Sequence, residues 1–500
     1  MSTLEIKNAA EHIASLKDDR EVFLDGKRVD DATTHPAFAR SIATAASLYE
    51  YQAQPENAEL MTFTSPTNGR RVNRAWQMPE SYEELVQRRK ALIAWAEQHG
   101  GFMGRSPDHL ASAVTGQLMG KQVFDAYDPD RAKAYWDYYV YARDNDLFLT
   151  YVIINPQIDR SKSVSEQADT SPMMKIVDED AQGVTVRGAK MLGTSSIMAN
   201  EVFVAHLQPL KPDEQDYAIS FAVPMDIKGL KVLSRKSYEQ HAVSEFDNPL
   251  AARYDENDAL MYFDDVKVPW ERVFVHRNPD MCRAQFHDTP GHIYQNYQAQ
   301  IRLTVKLRFL VGLARYVAET IGTVNMPAVA DTLGRMASQA TSIDTMLHGM
   351  EAKGHYHGKY FVPDRHSLYS AQTLTQELYP QLINTIRELA GGAVIMLPSS
   401  ASDFADPELA KIIKQTQVSA DGQSDIERVK LLKLVWDVIG SEFGGRHTQY
   451  EMFYSGAQFV VRGHSSRTFD WDGSKGLVNT ILNRYDLSGS INKDQRSAAE

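Results

Sequence analysis

Cysteine is almost absent from this sequence. Cys282 is the one cysteine among 500 residues, so the chain cannot form an internal disulfide. One thiolate also cannot by itself hold an iron–sulfur cluster or a structural zinc ion, because these take several ligands. Free cysteine without disulfides is typical of reducing compartments, and the composition therefore favours a cytoplasmic protein.

An excess of positive charge and long apolar runs are also missing. The 53 Lys and Arg residues face 65 Asp and Glu residues, which gives a formal net charge of −12. Binding to phosphate backbones needs clustered cations, so we expect no nucleic-acid partner. The longest apolar runs, such as residues 393–397, fall far short of the roughly 18 residues that a membrane helix needs. The N-terminus has no basic and apolar regions of a signal peptide, so we expect neither membrane insertion nor classical export.

Glycine and proline are few enough to exclude collagen-like and disordered classes. They number 29 and 20, while 43% of the residues are apolar and 24% are charged. A chain of this length has room for about three domains, each with its own core.

The hydrophobic pattern changes twice along the chain. Residues 1–147 carry apolar side chains at helical spacing and predict a mostly helical N-terminal domain. Residues 148–275 alternate short β-prone runs with turn residues, which predicts a central β-barrel domain. Long amphipathic helices return in residues 276–483 and predict a helical bundle, followed by a polar tail at 484–500. This α+β order is that of the acyl-CoA dehydrogenase architecture.

Sequence motifs for nucleotides and metals are missing or weak. Neither a G-x-G-x-x-G fingerprint nor a P-loop is present, so a nucleotide-type cofactor would have to be held in another way. His348, Glu351, His355 and His357 lie close together, but Gly354 interrupts the helix and the spacing matches no known metal site. A solvated turn is the better interpretation, and we predict no metal site.

Several unusual strings, in order along residues 20 to 456, resemble one family. They are Gly26–Phe38, Phe102–His109, Ile154–Arg160, Arg253–Asp258 with Val268–Trp270, Leu397–Ala401 and Gly440–His447. The sequence is similar to the oxygenase component of 4-hydroxyphenylacetate 3-monooxygenase and its relatives, the reduced-flavin-dependent phenol monooxygenases, which include halophenol and nitrophenol enzymes.

The resemblance implies an acyl-CoA dehydrogenase-like fold, a homotetramer, and FAD used as FADH2. In this family a separate NAD(P)H-dependent flavin reductase supplies the FADH2. Oxygen then adds to the flavin, and the resulting C4a-hydroperoxide transfers a hydroxyl group to an activated phenol. Such chemistry requires a phenol pushed toward phenolate and a site from which water is excluded.

Four residues match catalytic positions of the family. Arg105 matches the arginine at the flavin and substrate, where a permanent cation stabilises phenolate. The 4-hydroxyphenylacetate enzymes usually have tyrosine at the position of His109 and histidine at that of Tyr151, so the two are exchanged here. His292 lies where halophenol and nitrophenol enzymes place a histidine base.

The resemblance also implies which residues hold the flavin. Thr194 aligns with a threonine whose hydroxyl reaches the N5 edge of the flavin. Two further segments match regions that line FAD, together with Arg105. Their members are Gln157, Ile158, Asp159, Arg160, Tyr454, Ser455 and Gly456.

The reaction and its phenol stay open at this point. Ortho-hydroxylation of a 4-substituted phenol such as 4-hydroxyphenylacetate competes with para-hydroxylation that releases halide or nitro groups. His292 favours the second reaction, whereas Tyr454–Gly456 and the turn at Gly444–His447 favour the first. A plain acyl-CoA dehydrogenase and a non-catalytic flavin-binding scaffold are further alternatives. The related 4-hydroxybutyryl-CoA dehydratase needs several cysteines for its cluster, and the single Cys282 argues against it.

Overall fold

The computed structural model describes residues 6–487. Its helices are α1 (Ala9–Ser15), α2 (Ala39–Ala53), α3 (Pro55–Met61), α4 (Tyr82–Gln98), α5 (Pro107–Met119), α6 (Lys121–Tyr127), α7 (Pro129–Asp144), α8 (Ala251–Tyr254), α9 (Pro279–His287), α10 (Gly291–Thr320), α11 (Pro327–Ala352), α12 (Arg365–Ala390), α13 (Pro407–Thr416), α14 (Asp425–Ile439), α15 (Glu442–Phe453), α16 (Gln458–Thr468) and α17 (Trp471–Leu482). Its strands are β1 (Glu21–Leu24), β2 (Lys27–Val29), β3 (Thr62–Thr64), β4 (Arg71–Asn73), β5 (Leu149–Val152), β6 (Lys175–Asp180), β7 (Gly183–Lys190), β8 (Glu201–Val204), β9 (Ile219–Pro224), β10 (Leu230–Ser234), β11 (Ala259–Pro269), β12 (Val273–His276), β13 (His355–His357) and β14 (Tyr360–Val362).

Helix α5 is the buried centre of the N-terminal helical part. Pro107 occupies its first turn, where a missing N–H costs nothing and the fixed φ favours helix formation. Every residue from Pro107 to Met119 is buried, because α5 packs against the short 3-10 helix Arg74–Trp76 on one side and the long helix α10 on the other. A helix that is enclosed on all sides holds the residues at its N-terminus in fixed positions.

The β part consists of two open sheets rather than the closed barrel expected from the sequence. Within residues 6–487, one sheet has the strand order β2-β1-β10-β11-β7-β6 and the other has the order β12-β9-β8-β5. The two sheets share a core that includes Val186, Val204, Val223 and Val266. Two packed sheets bury the same alternating side chains as a barrel, so the alternation alone could not distinguish the two architectures.

Strands β1 and β2 come from the region that the sequence assigned to the helical domain. β1 pairs in parallel with β10, and its alternate residues Val22 and Leu24 are buried in the core of the β part. Four residues give too short a pattern to identify a strand whose partner lies about 200 positions later. The domain limits at 147/148 and 275/276 stay predictions.

The C-terminal part is the expected helical bundle. Helices α10, α11, α12 and α14 enclose a core that includes Leu307, Ile343, Tyr379 and Val435. Most of the first half of α10 is buried, because α5 covers one side and α12 another. Of the predicted polar tail, residues 488–500 lie outside the described residues.

Candidate active site

Arg105 lies at the junction of the helical and β parts, directly before α5. Its backbone N–H donates to a carboxylate oxygen of Glu256, and its Nη1 donates to the Tyr450 hydroxyl at 2.7 Å. The guanidinium carbon lies 5.2 Å from the ring centroid of Tyr151 and 5.2 Å from that of Tyr450. Burial disfavours the charged form, but these neighbours raise the pKa of Arg105 above its ordinary value, so its positive charge is permanent.

His109 and Tyr151 stack beside this arginine. Their ring centroids are 5.7 Å apart, and Tyr151 projects from β5 toward α5. Gln295 Nε2 lies 3.2 Å from His109 Nε2, while Gln298 Oε1 lies 2.9 Å from His109 Nδ1. An amide nitrogen can only donate and an amide oxygen can only accept, so this network assigns the proton to Nδ1 and a lone pair to Nε2. Burial and the nearby Arg105 hold the pKa of His109 well below its ordinary value, which keeps the imidazole neutral.

Thr194 is joined to Arg105 by a chain of charged hydrogen bonds. The Thr194 hydroxyl donates to Asp258 Oδ1 at 2.6 Å. Arg446 donates to both oxygens of Asp258, at 3.0 and 2.7 Å, and through Nη1 to Glu256 at 2.9 Å. Glu256 in turn accepts the backbone N–H of Arg105. Burial alone would raise the pKa of Asp258, but Arg446 holds that pKa below its ordinary range, so the carboxylate stays ionised.

Tyr450 is surrounded by guanidinium groups. Its ring centroid lies 5.2 Å from Arg105, 5.7 Å from Arg302 and 4.9 Å from Arg446. Burial raises the pKa of Tyr450 above its ordinary value, so the hydroxyl keeps its proton. Arg446 and Tyr450 lie four positions apart in α15 and thus on one face of that helix.

A buried ion cluster lies beside Tyr450 and includes Arg302, which contacts the Tyr450 ring. Arg302 donates to both oxygens of Glu451, and Lys306 Nζ donates to the same carboxylate at 3.0 Å. Lys306 Nζ also lies 3.1 Å from Nδ1 of His447. All four side chains are buried. His447 therefore has a structural role, through its contact with Lys306.

His292 belongs to a separate group of aromatic residues. Its Nδ1 lies 3.0 Å from the Tyr369 hydroxyl, and its ring centroid lies 4.8 Å from His287 and 5.3 Å from His464. Burial, followed by these two histidines, holds the pKa of His292 well below its ordinary value. His292 lies one turn before Gln295 on α10, so it is next to the Arg105 group rather than in contact with it.

The two predicted flavin-lining segments differ in position. Gln157, Ile158 and Arg160 are exposed in a loop, and Asp159 accepts a hydrogen bond from the Ser161 hydroxyl at 2.7 Å. The structure therefore shows only local contacts for this loop, and its part in flavin binding stays a prediction.

The second segment, Tyr454 to Gly456, follows α15 directly. Tyr454 stacks on Tyr450 with ring centroids 5.7 Å apart. Gln376 Nε2 donates to the Gly456 carbonyl at 2.8 Å and lies 3.3 Å from the Ser455 hydroxyl. This segment is thus held next to the arginine cluster.

Sequence reasoning missed the roles of Glu256, Asp258, Arg446 and Tyr450. The first three lie inside strings that carried the family resemblance, but only the fold pairs the acidic string with the arginine almost 190 positions later. Opposite charges in two separate strings that resemble the family were the available signal. Tyr450 follows Arg446 by one helical turn and could have been found from that spacing.

The side chains around Thr194 fit a flavin. Ser195 adopts a left-handed backbone with φ 65°, and the buried hydroxyls of Ser195 and Ser196 have no hydrogen-bond partner within the chain. Buried hydroxyls normally have partners, so these two retain unused hydrogen-bonding capacity next to Thr194. Arg105 adds a permanent cation for a negative charge that develops there. Among the described residues, no group of three or more His, Cys, Asp or Glu side chains could hold a metal ion.

The fold and this site define a flavin-dependent monooxygenase of the acyl-CoA dehydrogenase-like type, as expected from the sequence. The chain belongs to the 4-hydroxyphenylacetate 3-hydroxylase family: residues 8–275 match its N-terminal part and residues 282–483 match its C-terminal part.

Curated relatives extend over nearly the whole chain. The 4-hydroxyphenylacetate 3-monooxygenase oxygenase component of Pseudomonas aeruginosa is 34% identical over 492 residues, which cover 96% of this chain and 93% of that protein. The 4-nitrophenol 2-monooxygenase oxygenase component of a Rhodococcus species is 34% identical and covers 97% of this chain and 93% of that protein.

A solved structure confirms the fold. The oxygenase component of 4-hydroxyphenylacetate 3-monooxygenase, complexed with FAD and 4-hydroxyphenylacetate, superposes with a TM-score of 0.90 at 30% identity. The match covers 95% of this chain and 98% of that chain. FAD is accordingly the cofactor of this fold.

Proposed function

We propose that this flavin-dependent monooxygenase hydroxylates a 4-substituted phenol, such as 4-hydroxyphenylacetate, at the position ortho to its hydroxyl group. One observation carries the proposal: Arg105, buried His109 and partly buried Tyr151 meet in one group in a member of this family. A permanent cation, a neutral imidazole and a phenol together can bind and polarise a phenolic oxygen.

Each of these side chains has a separate task in the proposed reaction. Bound reduced FAD, held near Arg105, Thr194 and Tyr454, supplies the activated oxygen atom. The Arg105 guanidinium stabilises the negative charge that grows on the phenolic oxygen of the substrate, and Tyr151 donates its O–H to the same oxygen. His109 Nε2 has a lone pair that can accept a hydrogen bond from the phenolic O–H in place of the one from Gln295, while the imidazole stays neutral. Polarisation toward phenolate makes the ortho carbon nucleophilic.

Substitution of Arg105 tests this function. We expect purified protein with FADH2 and oxygen to convert 4-hydroxyphenylacetate into a catechol, and Arg105→Met to reduce product per FADH2 by at least about tenfold, as for loss of one charge-stabilising donor. Arg187→Met is the matched control, because Arg187 is exposed and pairs with Asp265 at the surface. Catechol formation at wild-type yield by Arg105→Met would contradict the proposal.

Para-hydroxylation with release of halide or nitro groups is the second candidate. It relies on His292 as a base, and the contacts of His292 with Tyr369, His287 and His464 give it less support. A substrate panel that includes 4-fluorophenol and 4-nitrophenol decides between the reactions, since free fluoride or nitrite forms only in para-substitution.

The proposed enzyme has two kinds of protein partner, namely a flavin reductase and other copies of this chain. The reductase is the NAD(P)H-dependent source of FADH2, in keeping with relatives that are oxygenase components. Helix α17 supports a homotetramer, because it leaves apolar side chains exposed that a partner copy can cover. The most exposed of them are Leu477 at 74%, Val478 at 57% and Trp471 at 55%.

Light scattering after size exclusion measures the oligomeric state. We expect four copies for the wild type and smaller species for Leu477→Lys, and a monomeric wild type would contradict the tetramer.

No helix among residues 6–487 is long and apolar enough to cross a membrane. We place the enzyme in the cytoplasm, in keeping with its single cysteine.

A further inference from the structure

A fully buried lysine ends strand β7 without a carboxylate partner. Lys190 is 0% exposed, and its Nζ lies 3.5 Å from His206 Nδ1. Within the part of the chain that the structure describes, no Asp or Glu forms an ion pair with it. The other fully buried lysine, Lys306, is paired with Glu451. A buried ammonium group without a counter-charge is costly, so the Lys190 environment needs an explanation.

Two neighbouring side chains have unused hydrogen-bonding atoms. His206 is 1% exposed and its Nε2 has no partner within the chain, while Asn155 is 3% exposed and neither atom of its amide has one. Because the Lys190 ammonium can only donate, His206 Nδ1 accepts from it, and Nε2 must then carry the proton. The cluster therefore presents a cation, an imidazole N–H and an amide N–H, all of them buried.

The strand pairing brings these three residues together. An antiparallel bridge joins Ile154 to Met191, which places Asn155 and Lys190 at adjacent cross-strand positions. Strands β5 and β8 pair in parallel, and the N–H of Ala205 donates to the Val152 carbonyl at 3.2 Å, so His206 after β8 runs beside the segment that leads from β5 to Asn155. The three residues thus meet where β5, β7 and β8 end.

The same segments lead directly to the candidate active site. Tyr151 lies four residues before Asn155, and Thr194 lies four residues after Lys190. The extended segment from Tyr151 past the bridge at Ile154 to Asn155 spans about 13 Å, a distance that a phenol with a short side chain and the side chains that hold it can bridge. The cluster is therefore positioned at the far end of a phenol whose hydroxyl group contacts Tyr151.

We propose that Lys190, His206 and Asn155 bind the anionic substituent of the phenol, a carboxylate on a short side chain. This inference rests on the proposed function, because it assumes that the hydroxyl end of the substrate lies at Arg105 and Tyr151. A carboxylate supplies the missing counter-charge and accepts hydrogen bonds from all three donors. A buried water molecule could satisfy the donors but would supply no counter-charge to the protonated form of Lys190.

The electrostatics of the cluster agree with a bound anion. Burial lowers the pKa of Lys190 to about 7, while Cys282 of α9, which faces it together with His206, acts in the opposite direction. A carboxylate beside the amine would raise that pKa again. The affinity for a carboxylate should therefore fall as the pH rises through about 7, whereas the affinity for an uncharged phenol should not change.

A pair of substrates that differ only in the charged group tests the proposal. 4-Ethylphenol has a methyl group where 4-hydroxyphenylacetate has its carboxylate. For Lys190→Met we expect the KM for 4-hydroxyphenylacetate to rise by at least about tenfold, with the KM for 4-ethylphenol within about twofold of wild type. Lys190→Arg keeps the charge and should retain most of the preference. Lys267→Met, a substitution in an exposed ion pair on β11, is the control.

Binding to the FAD-loaded protein without reductant, measured by calorimetry, separates the two hypotheses. Selective loss of 4-hydroxyphenylacetate binding in Lys190→Met, without catechol formation by the wild type, would support the anion site and contradict the proposed function. Equal losses for both phenols, or no loss for either, would overturn the anion site and leave the function intact. Thermal melting checks folding, and if Lys190→Met does not fold, His206→Gln and Asn155→Ala are compared with the same substrates.

Discussion

The guanidinium of Arg105 donates a hydrogen bond to the hydroxyl of Tyr450 at 2.7 Å, across 345 positions of sequence. This bond joins the residue before α5 to helix α15 of the bundle. Tyr450 also lies against Arg302 and Arg446, so its own position is fixed by two further cations. The orientation of the proposed catalytic arginine is therefore set by a residue of another part of the chain.

Removal of the Tyr450 hydroxyl should impair the reaction more than the fold. Tyr450→Phe keeps the ring but deprives Arg105 of its acceptor, and we expect product per FADH2 to fall by about tenfold, with more hydrogen peroxide. The free energy of unfolding should change by only about 1 kcal/mol, the usual net value of one hydrogen bond. Product, peroxide and urea unfolding are measured together, with the exposed Tyr316→Phe as control. Normal coupling in Tyr450→Phe would show that Tyr450 does not position Arg105.

Gly104 is predicted to be irreplaceable because Tyr450 packs against its backbone. A Cβ at Gly104 would lie 2.5 Å from Cζ of Tyr450, much closer than such contacts allow. We expect Gly104→Ala to displace Tyr450 from its contact with Arg105 and so to lower product per FADH2 by more than about tenfold. The same substitution should destabilise the fold by about 1–3 kcal/mol. Gly445→Ala on α15 is the matched control, since nothing lies within 4 Å of its added Cβ. That control should leave activity unchanged and raise stability by about 0.5–1 kcal/mol through helix propensity.

Glu451 should make the free energy of unfolding depend on pH in the acid range. Burial alone would raise the pKa of Glu451, but Arg302 and Lys306 lower it to about 2. The folded pKa is below the unfolded value of about 4.3, so the stabilisation is complete above that pH and is lost as the pH falls toward the folded pKa.

The variant Glu451→Gln isolates this contribution. We expect it to be less stable by about 3 kcal/mol at neutral pH, because two buried cations lose their partner. The difference from wild type should shrink as the pH falls below about 4.3. Urea unfolding over this range measures it, and Glu442→Gln, at an exposed pair with Lys236, is the control. A difference that does not change with pH would contradict the assignment.

His109 and Tyr151 should affect product formation far more than flavin binding. We expect His109→Ala and Tyr151→Phe each to reduce product per FADH2 by about tenfold or more, since each removes a group from the phenolic oxygen. The dissociation constant for FADH2 should stay within about threefold of wild type, because the proposed flavin contacts lie at other residues. Rapid mixing of FADH2 with oxygenated enzyme gives both quantities. Unchanged coupling in both variants would leave the pair with a packing role.

The sequence predicted the order of helical, β and helical parts, and the resemblance carried over Arg105, His109 and Tyr151, which the structure brings together. Local periodicity is enough for long helices, and the family strings are specific. Strands β1 and β2 escaped prediction because their burial depends on a partner strand about 200 positions away. The open sheets differ from the predicted barrel because alternation reports burial and not closure.

The charged network around the site could not be predicted for the same reason. Glu256, Asp258, Arg446 and Tyr450 act on Arg105 and Thr194 only after three distant segments have met. Arg446 lies in α15 and not in the turn that the sequence suggested for Gly444–His447, and its pairing with two carboxylates is a property of the fold. The same holds for Lys190, which ends a strand with no acidic residue beside it in sequence.

The chain of bonds from Arg105 through Glu256 and Arg446 to Asp258 takes one member from the helical part, two from the β part and one from the bundle. This hydrogen-bond network forms only when all three parts are folded and in contact. Neither half of the chain, expressed alone, can reconstitute the reaction. Loss of activity on heating should therefore coincide with the earliest separation of any two parts. Turnover then measures the fraction of molecules in which all three parts are still in contact.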